Sequence, residues 1–210
     1  MKYPKEIFVK DYFHIHNYYS KKYGKDKTII LMQVGSFHEC YSNDNKGLDL
    51  IKVAEQLDVV CTRKYGNKPL SKSNNRMLGF PIYVIDNFIE KLCNLDFTVV
   101  VIDQVTNPPK PEKPKREVTG IYSPATFVQK STNYSLTKST YLTSIIIEQI
   151  KSSSGTILFG VGISSYDLTT GYGNFNESYS TPEDIMLALD ETIRFMETYP
   201  PREVILYINP

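Results

Sequence analysis

Two stretches of the chain are apolar almost without a break: Thr28-Ile29-Ile30-Leu31-Met32-Gln33-Val34 and Thr98-Val99-Val100-Val101-Ile102. Runs of that length and kind predict strands buried on both faces. Around them the apolar positions fall at helical spacing. Tyr12, Ile15, Tyr19 and Tyr23 recur every three or four residues, which predicts a helix that Gly24 ends. A helix over about 47–58 follows, with Leu48, Ile51, Ala54, Glu55 and Leu57 on its mostly apolar face, and another is predicted over 83–94. Short strands are predicted at 59–62 and 117–122, with a polar loop at 65–76 and an apolar re-entry at 77–81. Farther on, strands at 140–150, 156–166 and 172–176 form a meander. Thr181-Pro182-Glu183-Asp184 then reads as a helix start, with Ile185, Leu189, Thr192 and Met196 as the apolar face, and a last strand covers 203–208. The fold class is therefore α/β (mixed α+β): a front unit with a mixed or parallel sheet, and a back unit that begins a ribonuclease-H-like layout. That layout is interrupted at Asn209-Pro210, so the chain is expected to be a fragment of a longer protein. A serine- and threonine-rich passage over 129–139 is the expected junction, giving domains 1–132 and 133–210.

The candidate chemistry lies just after the first apolar run. Gly35 permits a turn that a β-carbon resists. Beyond it Phe37 and Glu39 are two residues apart, so on extended backbone they point to one face. A flat apolar ring beside a carboxylate suits a flat partner with hydrogen-bonding edges, such as a nucleobase. A phenylalanine entering the core beside a solvated glutamate fits the same residues. The segment Asn107-Pro108-Pro109-Lys110-Pro111-Glu112-Lys113-Pro114-Lys115-Arg116 holds four prolines, which exclude regular structure. Its four cations follow a phosphate backbone or simply face water. His14 and His16 fall on different sides of the first helix with no carboxylate or cysteine at ligand spacing, which argues against a metal site.

Composition adds less. With 210 residues, 41% hydrophobic and 22% charged, the chain is ordinary for one large domain or two small ones. No apolar run reaches the roughly 18 residues of a membrane helix. Three cysteines without a C-x-x-C pair read as reduced thiols of an intracellular protein. Charge is divided unevenly. Residues 1–135 carry 20 Lys and Arg against 14 Asp and Glu, whereas residues 136–210 carry 4 against 9. A basic front half fits a polyanionic partner for that half alone.

The motifs together resemble the MutS family, the front half its mismatch-recognition domain and the back half the start of its connector. The resemblance rests on Gly35-Ser36-Phe37-His38-Glu39 against the family's Gly-x-Phe-Tyr-Glu, then Cys61-Thr62-Arg63-Lys64, Met77-Leu78-Gly79-Phe80-Pro81 and Val101-Ile102-Asp103-Gln104-Val105. It continues through Arg116-Glu117-Val118-Thr119-Gly120-Ile121-Tyr122-Ser123-Pro124-Ala125-Thr126 and Ser165-Tyr166-Asp167-Leu168-Thr169-Thr170-Gly171. It covers about residues 12–208. His38 stands in place of the usual tyrosine, and Ala125 in place of the glycine in the family's Thr-Pro-Gly-Thr.

The resemblance implies that Phe37 wedges into the minor groove of double-stranded DNA at a mispaired or unpaired base, with Glu39 bonding an edge of that base. Arg63, Lys64, Lys115 and Arg116 become phosphate contacts, and Met77 packs near the wedge or in the core. It further implies a second MutS-like subunit, a MutL-like partner met through the connector, an intracellular place with DNA, and no membrane. ATP and Mg²⁺ belong to parts of the parent protein outside this chain, which is expected to be no enzyme and to hold no cofactor. Two alternatives remain: a protein-interaction module of a repair assembly, and a ribonuclease-H-like nuclease. The nuclease needs clustered carboxylates on adjacent strands, and only Glu148 and Glu203 are offered there.

Overall fold

The computed structural model describes residues 9–63, 65–71, 74–106, 114–128 and 139–209. Lys64, most of the proline-rich segment (107–113) and the expected junction passage (129–138) lie outside the described residues. The chain divides into two compact units between Phe127 and Val128.

The first unit is built on a six-stranded mixed sheet. Its strands are β1 (Thr28–Val34), β2 (Phe37–Ser42), β3 (Thr62–Arg63), β4 (Arg76–Pro81), β5 (Thr98–Gln104) and β6 (Arg116–Tyr122), in the order β3-β4-β2-β1-β5-β6. Only β1 and β5 run parallel. They are the two unbroken apolar runs, and they occupy the middle of the sheet with Ile29 to Met32 and Val99 to Ile102 buried on both faces. Helix α1 (Tyr12–Tyr23) buries Tyr12, Ile15 and Tyr19 against β1, as their spacing predicts. The Tyr12 hydroxyl donates to the Ile30 carbonyl at 3.1 Å, and its ring meets Tyr41 of β2 edge-on at 5.0 Å. Helices α2 (Leu50–Leu57) and α3 (Ile85–Asn94) serve the opposite face, where Phe80 of β4 stacks on Phe88 of α3 at 4.0 Å.

Two expectations need correction here. The buried face of α2 is Leu50, Val53, Ala54 and Leu57, while Ile51 and Glu55 are exposed. The helix starts at Leu50 because the Asp49 carboxylate accepts the Ile51 amide, and that start rotates the stripe relative to the expected one. The strand expected over 59–62 shrinks to Thr62–Arg63, with Val60 exposed.

The second unit has a four-stranded sheet in the order β10-β7-β8-β9: β7 (Tyr141–Lys151), β8 (Ile157–Asp167), β9 (Gly173–Tyr179) and β10 (Pro201–Asn209). The first three form an antiparallel meander, and β10 returns parallel to β7 after helix α4 (Leu187–Thr198). That is the expected layout. Helix α4 begins later than Thr181-Pro182 suggested. Thr181 and Asp184 instead close a turn on each other through both backbone bonds, and the Asp184 carboxylate then accepts the Met186 amide. Of the expected face, Thr192 is buried and Leu189 and Met196 pack partly buried against the core beside buried Ala188, whereas Ile185 is exposed. No helix among the described residues is long and apolar enough to cross a membrane.

Candidate nucleic-acid interface

Strands β1 and β2 are joined by the two-residue loop Gly35-Ser36, with Val34 opposite Phe37. Gly35 has φ +62°, the left-handed value that such a loop demands of its first residue and that glycine adopts without cost. The alternation along β2 then sorts its side chains. His38, Cys40 and Ser42 are buried on one face; Phe37, Glu39 and Tyr41 share the other. Phe37 is 44% exposed. The ring is therefore not sealed in the core, and it stands at the start of a paired strand between Val34 and Pro81.

Glu39 is half-buried and accepts the hydroxyl of Tyr41, two residues on and on the same face. Burial, and next the bond to Glu39, push the Tyr41 phenol well above its ordinary pKa, so it remains a proton donor. Opposite Glu39 on β4 stands Gly79. A β-carbon there comes to 3.2 Å from Glu39 Cγ and 3.2 Å from the His38 carbonyl oxygen, so the glycine is what leaves room for the glutamate side chain.

A network of amides holds this hairpin. The Gln33 side chain donates to the Gly35 carbonyl at 3.0 Å and accepts the Gln104 amide at 2.8 Å. Ile82 N donates to Ser36 O at 3.0 Å. Arg116 is buried, and its Nε donates to the Gln33 carbonyl at 2.7 Å. Desolvation lowers its pKa, while the nearby Tyr41 and Glu39 act in the opposite direction. Gln33 carried no signal in the sequence beyond being a polar residue near the end of an apolar strand, and Gln104 was visible only as part of a motif.

On the other face, buried His38 places Nε2 2.7 Å from Asp103 Oδ1 on β5, and Thr119 of β6 donates to the second oxygen of the same carboxylate. The His38 bond chiefly, with Thr119, holds the Asp103 carboxyl below the ordinary range against the pull of burial. The substituted middle residue of the motif thus points away from Phe37 and Glu39 and ties β2 to strands across the sheet. Its Nδ1 is buried without a hydrogen-bond partner among the described residues.

The remaining expected contacts are scattered. Met77 is half-buried on the Glu39 face, but opposite Tyr41, four positions along β4 from the partner of Phe37. Arg63 is exposed and donates to the Lys68 carbonyl at 3.2 Å. Lys115 is exposed and 2.9 Å from Glu117, an ion pair of a kind worth at most about 1 kcal/mol and easily exchanged for another anion. Arg116 lacks the exposure that a phosphate contact needs, because its guanidinium is spent inside the protein; this corrects its reading as a surface cation. In the second unit Glu148 pairs with Asn209 and Glu203 with Leu142, six positions apart along β7. At about 3.3 Å per residue the two carboxylates stand roughly 20 Å apart, too far to share a metal ion.

A mixed sheet that presents an exposed phenylalanine and a glutamate from one hairpin, followed by a meander-helix-strand unit, defines a class of protein. A family model for MutS domain I matches residues 14–131, and the chain belongs to the MutS family. It is 30% identical to a DNA mismatch repair mutS homologue of Acanthamoeba polyphaga mimivirus over 98% of this chain and 18% of that protein. To the DNA mismatch repair protein MutS of Methanosarcina barkeri it is 26% identical over 73% of the chain and 17% of the relative. To the protein of the same name from Thermus thermophilus it is 33% identical over 49% of the chain and 12% of the relative. The chain thus spans less than a fifth of the length of these relatives.

Proposed function

We propose that this chain senses mispaired or unpaired bases in double-stranded DNA as part of a mismatch repair protein, with Phe37 as the wedge and Glu39 as the group that holds the disturbed base. The observation that carries the reading is the exposure of Phe37 at the tip of a tied hairpin, on the same face as Glu39. Opening a base step costs a few kcal/mol, and stacking a ring on a base returns roughly 1–3 kcal/mol. In sound duplex the two nearly cancel. A mismatch has already lost pairing, so the same insertion becomes favourable there. Discrimination then comes from how readily the duplex deforms. Glu39 has given one acceptor position to Tyr41; ionised, it keeps others for a base N–H.

In this reading the chain carries out no chemical step itself. ATP and Mg²⁺, a second MutS-like subunit and a MutL-like partner act through the whole protein. Exposed apolar side chains on one face of the second sheet, among them Ile146, Tyr166, Phe175 and Tyr207, support contact with protein there. Labelled duplexes with and without one mismatch test the wedge. Phe37→Ala is expected to abolish the preference for mismatched DNA, a change in affinity ratio of about fivefold to 150-fold at 1–3 kcal/mol of stacking, and to retain salt-sensitive binding. An unchanged preference defeats the assignment.

A further inference from the structure

At the far end of β2 from Phe37, a groove of about 1050 Å³ opens between α1 and the loop 43–47. One wall is the stripe Lys10, His14, Asn17 and Lys21, spaced four, three and four apart, with Lys25 beyond the helix end; all are exposed, while Tyr12, Ile15 and Tyr19 face the core. The other wall is a built loop. Asn43 and Lys46 exchange backbone bonds at 2.8 and 3.3 Å, and the Asn43 side chain accepts the Asn45 amide at 3.1 Å. Gly47 has φ +87°, with the place of its missing β-carbon only 2.7 Å from the Tyr41 carbonyl oxygen. Lys46 is thereby held at the rim. Four lysines line the groove against one carboxylate, Asp44, and that one is 3.0 Å from Arg76.

We infer that this groove binds the phosphodiester backbone of a nucleic acid, as a sequence-independent contact separate from the Phe37 hairpin. The cations are strung out and do not converge on a point. Lys10 to Lys21 covers about 16 Å at 1.5 Å per residue, roughly five phosphates of one strand at 3.4 Å each. A single small anion cannot use such a row. Asn17 and Asn45 supply amide donors of the kind that bond phosphate oxygens, while the Asn43 amide donates to Asn75 at 3.2 Å and fixes the loop. The choice of DNA, in preference to another polyanion, rests on the function proposed above. The Tyr12–Tyr41 contact sets α1 against the sheet face that carries Phe37 and Glu39. Phe37 and Asn43 are six strand residues apart, about 20 Å, so the groove is a contact distinct from the wedge.

The test uses the 210-residue chain at millimolar concentration and low salt, with amide NMR shifts read against a matched duplex, a duplex with one mismatch, and poly-glutamate of equal charge. The inference expects shifts at Asn17, Lys21, Asn45 and Lys46 with either duplex. The exposed-lysine variant K21E/K25E/K46E, checked for an unchanged unfolding midpoint, is expected to bind both duplexes about tenfold more weakly. The slope of log K against log salt is expected to become shallower by about 0.9 for every phosphate the variant no longer neutralises. The preference for the mismatch stays intact. Shifts confined to the hairpin, no shifts at all, or an unchanged slope in the variant overturn the inference. So does poly-glutamate acting at equal or lower concentration, which assigns the groove to an acidic protein segment. Phe37→Ala changes only the mismatch preference, so failure of the wedge and failure of the groove are told apart.

Discussion

The proposed role of Phe37 depends on small decisions made at its neighbours. Gly79 is the clearest case. Gly79→Ala presses a methyl group on Glu39 and on a backbone carbonyl that is fixed by strand pairing. We expect a loss of about 1 kcal/mol in urea unfolding, together with a weakened mismatch preference; a variant that keeps both shows that the glutamate does not need the space. Asp103 yields a prediction in pH. Its carboxyl is held below the ordinary value of about 3.9. A depressed pKa stabilises the fold above the unfolded value, and the gain vanishes as pH falls through the folded one. Asp103→Asn is therefore expected to cost stability at pH 7, with the gap from the parent protein narrowing as pH falls through the depressed pKa of the folded carboxyl. Denaturation curves with the same gap at pH 7 and at pH 2.5 contradict this. Residue roles were read unevenly from the sequence. The shared face of Phe37 and Glu39 follows from strand periodicity alone. Burial of Arg116 does not, because a charge pattern says nothing of which cation has a carbonyl waiting inside. Gly79 was visible as part of a motif, but its reason lies on the neighbouring strand.

At the scale of elements, the Gln33 side chain is one of several ties on the hairpin β1–β2, beside the Ile82–Ser36 and Arg116–Gln33 bonds. Gln33 joins the loop to β5 with bonds at 3.0 and 2.8 Å. Gln33→Ala removes both and leaves the Gln104 amide without its acceptor, for a cost of about 1–2 kcal/mol. Hydrogen exchange is expected to speed up at Phe37 and at Gln104, while Val100 and Val101 remain protected; equal protection throughout refutes the role. Strands β1 and β5 were legible because an unbroken apolar run has few other places to go. The start of α4 was misleading. Thr181-Pro182-Glu183-Asp184 carries every mark of a helix N-terminus, yet a local turn satisfies the same donors first. Local hydrogen bonding and helix capping use the same residues, and the sequence does not say which wins.

The two units differ in what holds them. The first buries a continuous core that runs from Ile15 through Ile30 and Leu78 to Ile102, whereas the second buries only Ile145, Val161, Ile163 and Ala188 among its described apolar residues. Strand β10 is exposed along most of its length, Val204 to Ile208 included. We therefore expect the second unit to unfold at the lower denaturant concentration, and hydrogen exchange to rank β10 as fast and β1 and β5 as slowest. A single transition with uniform protection refutes this. Composition hinted at the division through charge, basic before residue 135 and acidic after it, but charge carries no information about core size.

The Gln33–Gln104–Arg116 tie has a mechanical consequence. A feeler mounted on a slack arm recoils from whatever it touches and reports mostly on itself. Here the tip is braced against the central strands, so in the function proposed above the compliance lies almost wholly in the stack of bases, and the force needed to seat the tip becomes a gauge of that local softness.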